Sequence, residues 1–103
     1  MFLGGGTLLV LVTYDVNTMD AVGKRRLSQV AKYCVKFGQR VQNSVFECLV
    51  NASQLKIMQN DLLGIIDIEK DSIRFYNLGV KYQTKILHLG AKETYDPGAN
   101  LIL

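Results

Sequence analysis

Thiol and imidazole chemistry is nearly absent from this chain, which holds one histidine, His88, and two cysteines, Cys34 and Cys48. The cysteines lie too far apart for a Cys-x-x-Cys motif and are too few for the disulfide framework of a small secreted domain. The expectation is therefore a reduced, cytoplasmic setting in which both are small buried hydrophobes. His88 has no neighbour at zinc-ligand spacing and no identifiable partner for a Cys–His nucleophile. No apolar run approaches the roughly 20 residues of a membrane helix. The start, Met1 to Thr7, lacks the basic stretch that opens a signal peptide. Phosphate-binding loops are missing as well: Gly4-Gly5-Gly6 precedes a strand instead of opening a helix, and Gly23-Lys24-Arg25 lacks the upstream glycine and the following hydroxyl residue. The sequon Asn51-Ala52-Ser53, without a secretory signal, reads as a turn leading into a helix cap.

What is present fits one domain of ordinary globular composition, 103 residues with 49% hydrophobic and 20% charged side chains. Residues 1 to 7 read as a flexible leader, natural or appended, and 8 to 103 as a single domain. The net charge of +3 is unevenly placed. All of the excess lies in the first half, where Lys24, Arg25, Arg26, Lys32, Lys36 and Arg40 face only Asp15, Asp20 and Glu47. A polyanion is attracted by local charge more than by the sum, so this half suits a phosphate-binding face; a solvated helix face has the same composition.

Leu8 to Val12 is a nearly continuous apolar run, as expected of a strand covered on both faces. Asn17 to Asp20 supply cap-forming residues. From Ala21 to Phe37 the residues Leu27, Val30, Ala31, Cys34 and Phe37 recur at helical spacing, and Gly38 stands where a C-cap glycine belongs. Arg40 to Val50 alternates as one long strand. Ser53 is the expected cap of a second helix with a stripe of Leu55, Met58, Leu62, Ile65 and Ile66. Strands are predicted over Ser72 to Leu78 and Thr84 to Leu89, with a charged turn at Asp67 to Asp71 between helix and strand. Tyr95-Asp96-Pro97-Gly98 then marks a turn before the apolar Leu101-Ile102-Leu103, which should dock on this chain or a partner. This order approaches the ferredoxin-like βαββαβ arrangement, an α+β fold that hosts many activities and assigns none by itself.

Asp15 draws attention because a buried strand delivers it beside a basic helix. On position alone it serves equally well as a cap for the following turn. As a ligand, a single carboxylate is half a metal site; a twofold dimer would bring a second Asp15 to the axis, and the pair could hold one Mg²⁺, or Mn²⁺, against a phosphodiester. Tyr14 is either a core aromatic or a hydrogen-bonding group near that site. Arg25, Arg26 and Arg40 are candidates to clamp phosphates, or plain surface charges. Phe46 is read as interface packing ahead of a contact with a nucleotide.

The segments Leu9 to Val16, Lys24-Arg25-Arg26-Leu27, Gly38 to Cys48 and Tyr95-Asp96-Pro97-Gly98 to Leu103 together resemble the small CRISPR-associated protein of the spacer-acquisition module, described as an endoribonuclease or DNase, in its type I-C form. The resemblance covers nearly everything from Leu8 onward. It implies a ferredoxin-like homodimer with an extra C-terminal strand crossing to the partner's sheet, and a Mg²⁺ shared by the two Asp15 residues. It also carries over Tyr14, Arg40 and Phe46 as positions near the active cleft, and Arg25 and Arg26 as a basic cluster. The implied partners are a larger integrase subunit and DNA or RNA, with no membrane. Two functions follow as expectations: a metal-dependent endonuclease, or a structural adaptor that bridges integrase subunits and binds duplex DNA without cutting it. A small-molecule regulatory domain of the same fold is disfavoured by the basic first half.

Overall fold

A computed structural model describes residues 6–90. Most of the expected leader, the Tyr95 to Gly98 turn and the apolar tail lie outside the described residues. The elements are β1 (Leu8–Asp15), α1 (Ala21–Cys34), β2 (Gly38–Gln42), β3 (Val45–Val50), α2 (Ala52–Leu63), β4 (Ser72–Asn77) and a single 3₁₀ turn, Gln83–Lys85. The strands form one antiparallel sheet in the order β2-β3-β1-β4. This is the expected α+β, ferredoxin-like βαββαβ topology, with β1 interior and β4 at an edge. No described helix is long and apolar enough to cross a membrane.

Alternation along β1 assigns its two faces. Val10, Val12 and Tyr14 point toward the helices and join Phe46, Cys48 and Val50 of β3, Leu27, Val30, Ala31 and Cys34 of α1, and Met58 and Leu62 of α2 in one buried cluster. Fully buried side chains of the size of Phe46, Met58 and Leu62 each contribute about 1.5–3 kcal/mol relative to exposure. Both cysteines are buried free thiols, as expected. A hydrogen bond with Cys34, and burial, push the Cys48 thiol far above its usual range and leave it inert. Leu11, Thr13 and Asp15 belong to the opposite, open face of the sheet.

The helices begin where side chains can satisfy their first amides. Asp20 caps α1 by accepting from the Gly23 amide at 2.6 Å. At Gly23 a Cβ would come within 1.8 Å of the Asn17 carbonyl oxygen, so only glycine lets the entry loop approach. The cap of α2 is Asn51, not Ser53: its side chain accepts from the Gln54 amide while Gln54 reaches back to the Asn51 amide, a reciprocal pair that Ser53, two residues further on and already inside the helix, cannot make.

Several sequence expectations are corrected. The stretch from Arg40 to Val50 is not one strand but a hairpin that turns at Asn43-Ser44. Gln42 pairs with Val45, yet Arg40 pairs with Phe46, so a bulge at the intervening residue restores the alternation and hides the turn from a period-two reading. Gly38 is not a helix cap; α1 ends at Cys34 with Val35 as C-cap. Gly38 instead opens β2, where a Cβ would meet the Glu47 carbonyl oxygen at 1.8 Å. Thr84 to Leu89 forms no strand in the protomer: its first residues belong to the 3₁₀ turn, and Leu87 and Leu89 are 83% and 81% exposed. The extra C-terminal strand expected of the apolar tail lies outside the described residues.

Candidate functional site

β1 ends at Asp15, whose backbone pairs with Ser72 at the start of β4. The Asp15 side chain is exposed, and among the described residues no hydrogen bond or ion pair engages its carboxylate. The residue before it is in the opposite situation. Tyr14 is 2% exposed, and its hydroxyl donates to Asp71 Oδ2. Arg26 of α1 closes a two-pronged ion pair on the same carboxylate, Nε to Oδ2 at 2.7 Å and Nη2 to Oδ1 at 2.9 Å, and the Asp67 amide donates to Oδ2 at 3.0 Å.

The Asp71 side chain is 0% exposed and that of Arg26 14%, so this is a shielded charge pair with its oxygens taken up. Burial alone would raise the Asp71 pKa; the bonds from Arg26, the Asp67 amide and Tyr14 outweigh it and bring the carboxyl down to about 2. For Tyr14, burial and the hydrogen bond to Asp71 push the phenol up to about 12. Asp71 holds Arg26 firmly protonated. At neutral pH the trio is therefore phenol, carboxylate and guanidinium, with no group poised to exchange a proton.

The other expected site residues lie elsewhere. Arg40 is exposed on β2; its Nε donates to the Asn43 carbonyl at 2.8 Å, and its guanidinium stands 5.6 Å from the centroid of the Phe46 ring. Lys24, Ser28 and Lys32, spaced by one turn on α1, face Arg40 across an open groove of about 400 Å³. Arg25 is exposed on the same helix. This basic groove is on the helix side of the sheet, whereas Asp15 belongs to the open side, so one protomer does not bring the clamp and the carboxylate together.

The structure decides three single residues as a result. For Tyr14, left open between a core aromatic and a hydrogen-bonding group near the site, the ring is core and the oxygen is bonded to Asp71, on the face away from Asp15. Arg26 is not an available phosphate clamp, because Asp71 occupies its guanidinium. Phe46, at 0% exposure, packs inside the protomer beneath Arg40 and reaches no partner surface. Sequence reasoning missed Asp71 altogether, taking it for part of a charged turn. Its partners Arg26 and Tyr14 lie 45 and 57 residues away, and no local pattern signals such a contact.

As for metal, no cluster of three or more His, Cys, Asp or Glu residues occurs among the described residues. Mg²⁺ takes one or two carboxylates and completes its shell with waters and substrate phosphates. The hard, unengaged oxygens of Asp15 fit such an ion as one of its carboxylate ligands.

A small α+β fold that presents a carboxylate at a strand end beside a basic helix matches one family closely. The family model described as "CRISPR associated protein Cas2" matches residues 8–86. The CRISPR-associated endonuclease Cas2 of Halalkalibacterium halodurans is 54% identical over 89 residues, 86% of this chain and 93% of that protein. The CRISPR-associated endoribonuclease Cas2 of Nitratidesulfovibrio vulgaris is 49% identical over 100 residues, 97% of this chain and 98% of that protein. Among solved structures, the crystal structure of Streptococcus pyogenes Cas2 at pH 6.5 superposes with a TM-score of 0.74 at 54% identity, covering 80% of this chain and 99% of that one. The chain belongs to the Cas2 family of CRISPR associated proteins.

Proposed function

We propose that this protein is a CRISPR-associated endonuclease that cleaves nucleic-acid phosphodiesters at Asp15, acting as a homodimer in the spacer-acquisition machinery. The observation that carries the reading is the exposed, unengaged Asp15 carboxylate at the end of a rigid, buried strand, in a chain whose relatives are named as CRISPR-associated endonuclease and endoribonuclease.

Dimerisation completes the chemistry. One protomer supplies a single hard ligand, and a twofold axis near the end of β1 doubles it. The open edge of β4 and the exposed Leu87 and Leu89 suit a second copy, because an unpaired strand edge and an apolar segment both gain by being covered. Mg²⁺ or Mn²⁺, held by the two Asp15 side chains, would polarise a phosphoryl oxygen and lower the pKa of an attacking water. The chain's own part is to hold the substrate: Lys24, Arg25, Lys32 and Arg40 neutralise backbone phosphates.

The adaptor reading has one specific observation in its favour. The groove between Arg40 and Lys24 lies on the opposite side of the sheet from Asp15, an arrangement suited to holding duplex DNA against an integrase subunit without cutting it.

Cleavage of duplex DNA and of single-stranded RNA by the wild type and an Asp15→Asn variant, in Mg²⁺, Mn²⁺ and EDTA, separates the two. Metal-dependent cleavage that disappears in the variant supports the nuclease and names its substrate. Tight binding without cleavage, or cleavage that survives the substitution, favours the adaptor.

A further inference from the structure

We propose that Asp71 is a positioning residue for the reaction at Asp15, holding the end of β1 through Tyr14 and Arg26. The inference rests on the nuclease reading above and adds to it a residue in the connection just before β4 that touches neither metal nor substrate.

The geometry supports this in three ways. First, Asp71 collects donors from separate parts of the chain on one carboxylate: the Tyr14 hydroxyl from β1, the Arg26 guanidinium from α1 and the Asp67 amide from the connection before β4. Second, these contacts straddle the last pair of the β1–β4 ladder. Asp15 pairs with Ser72, Tyr14 directly precedes Asp15, and Asp71 directly precedes Ser72. A bond between Tyr14 and Asp71 on the helix side therefore fixes the pair whose Asp15 side chain projects to the open side. Beyond it the chain leaves the sheet for the loop that ends at the Asp20 cap, held there by the packing of Val16 against the core and without a further ladder pair. Third, a shielded ion pair is an inefficient way to gain stability. Apolar side chains of the same volume usually serve as well or better, and the better-attested benefit of a buried charged network is a single defined arrangement. A carboxylate that must meet a phosphodiester and a second copy of itself requires that definition, since a displacement of about 1 Å can cost on the order of 100-fold in rate.

The network also explains why Arg26 differs from Arg25 beside it. Arg25 projects into solvent and is free to meet a phosphate, while Arg26 turns inward and meets Asp71.

The test compares wild type, Asp71→Asn and Tyr14→Phe, well below each protein's melting temperature, by amide hydrogen exchange and steady-state cleavage kinetics. Tyr14→Phe keeps the Arg26–Asp71 pair and guards against a failure of Asp71→Asn to fold. The expected result is faster exchange at the amides of Tyr14, Asp15 and Val16, with the β2–β3 hairpin unchanged. A fall in kcat on the order of 100-fold in Asp71→Asn, smaller in Tyr14→Phe, with KM and nucleic-acid affinity near wild type, completes the pattern. Unchanged exchange at the end of β1 would overturn the proposal. So would faster exchange with wild-type kcat, which makes the network purely structural, and so would a loss confined to KM, which makes it part of substrate binding. An inactive wild type, or an Asp15→Asn variant that still cleaves, would remove the nuclease reading itself and the positioning role with it; normal wild-type cleavage beside an unimpaired Asp71→Asn removes the positioning role alone.

Discussion

Arg26 and Arg40 read alike in the sequence, two arginines in a basic first half, yet the corner around one and the edge around the other are built on opposite lines. At the α1–β4 corner, Arg26 is drawn inward by Asp71 and its guanidinium is spent on the protomer itself. At the α1–β2 edge, Arg40 lies in solvent over the Phe46 ring, beside Lys24 and Lys32. The lesson is that an arginine's role follows from whether a shielded carboxylate lies within reach. A charge in the interior must be paired, and once paired it is no longer available to a ligand.

The sharpest way to break this comparison is to remove the carboxylate. Asp71→Ala leaves Arg26 and Tyr14 without their shared partner and should clearly lower the midpoint of a urea titration. Arg40→Gln should leave that midpoint nearly unchanged, since an exposed guanidinium can exchange its partners for water. Equal effects of the two substitutions would show the two regions to be alike.

A somewhat smaller effect is expected from the backbone of the Arg40 edge. Gly38→Ala places a Cβ 1.8 Å from the Glu47 carbonyl oxygen, and prying the hairpin apart should cost about 1–3 kcal/mol, seen as a lower melting temperature. That result would locate the stability of this edge in close chain approach, where the other corner relies on a charge pair.

Salt dependence addresses binding instead of folding. Loss of one phosphate contact should reduce the slope of log affinity against log salt by about 1. Filter binding with Arg40→Gln and Lys24→Gln should show that reduction, and Arg26→Gln, measured where it is folded, should not. A reduced slope in Arg26→Gln alone would place the phosphate contact at the buried corner.

The smallest effect is on pH. Asp71 titrates in the folded state at about 2, below its ordinary 3.8, so the unfolded chain takes up the proton first as the pH falls. The stabilisation it provides is complete above the ordinary value and fades as the pH drops from there toward 2. An acid titration of wild type beside Asp71→Asn should show this part of the acid loss in the wild type only.

Much of the fold was legible because it depends on local periodicity. Val10, Val12 and Tyr14 alternate, Leu27, Val30, Ala31 and Cys34 recur every turn, and both patterns survive in the structure as buried faces. The β2–β3 turn was not legible, since the bulge beside Arg40 lets one alternation run through two strands. Of the candidate site, the exposure of Asp15 was legible from its place at the end of an apolar strand. Tyr14 was left between core and function, and the structure makes it a core ring whose oxygen is tied to Asp71.

By itself, then, the sequence determined both helices, the first strand and the Ser72 strand, the apolar faces, the basic bias of the first half and the family likeness, all of which are written in residues near one another along the chain. Only the tertiary structure decided which arginine is bound and which is exposed, that Phe46 lies inside, and that Asp71 gathers Tyr14 and Arg26. The reason is physical. Burial and ion pairing depend on distances through space between residues 45 and 57 positions apart, and such distances exist only after the sheet has closed against its helices.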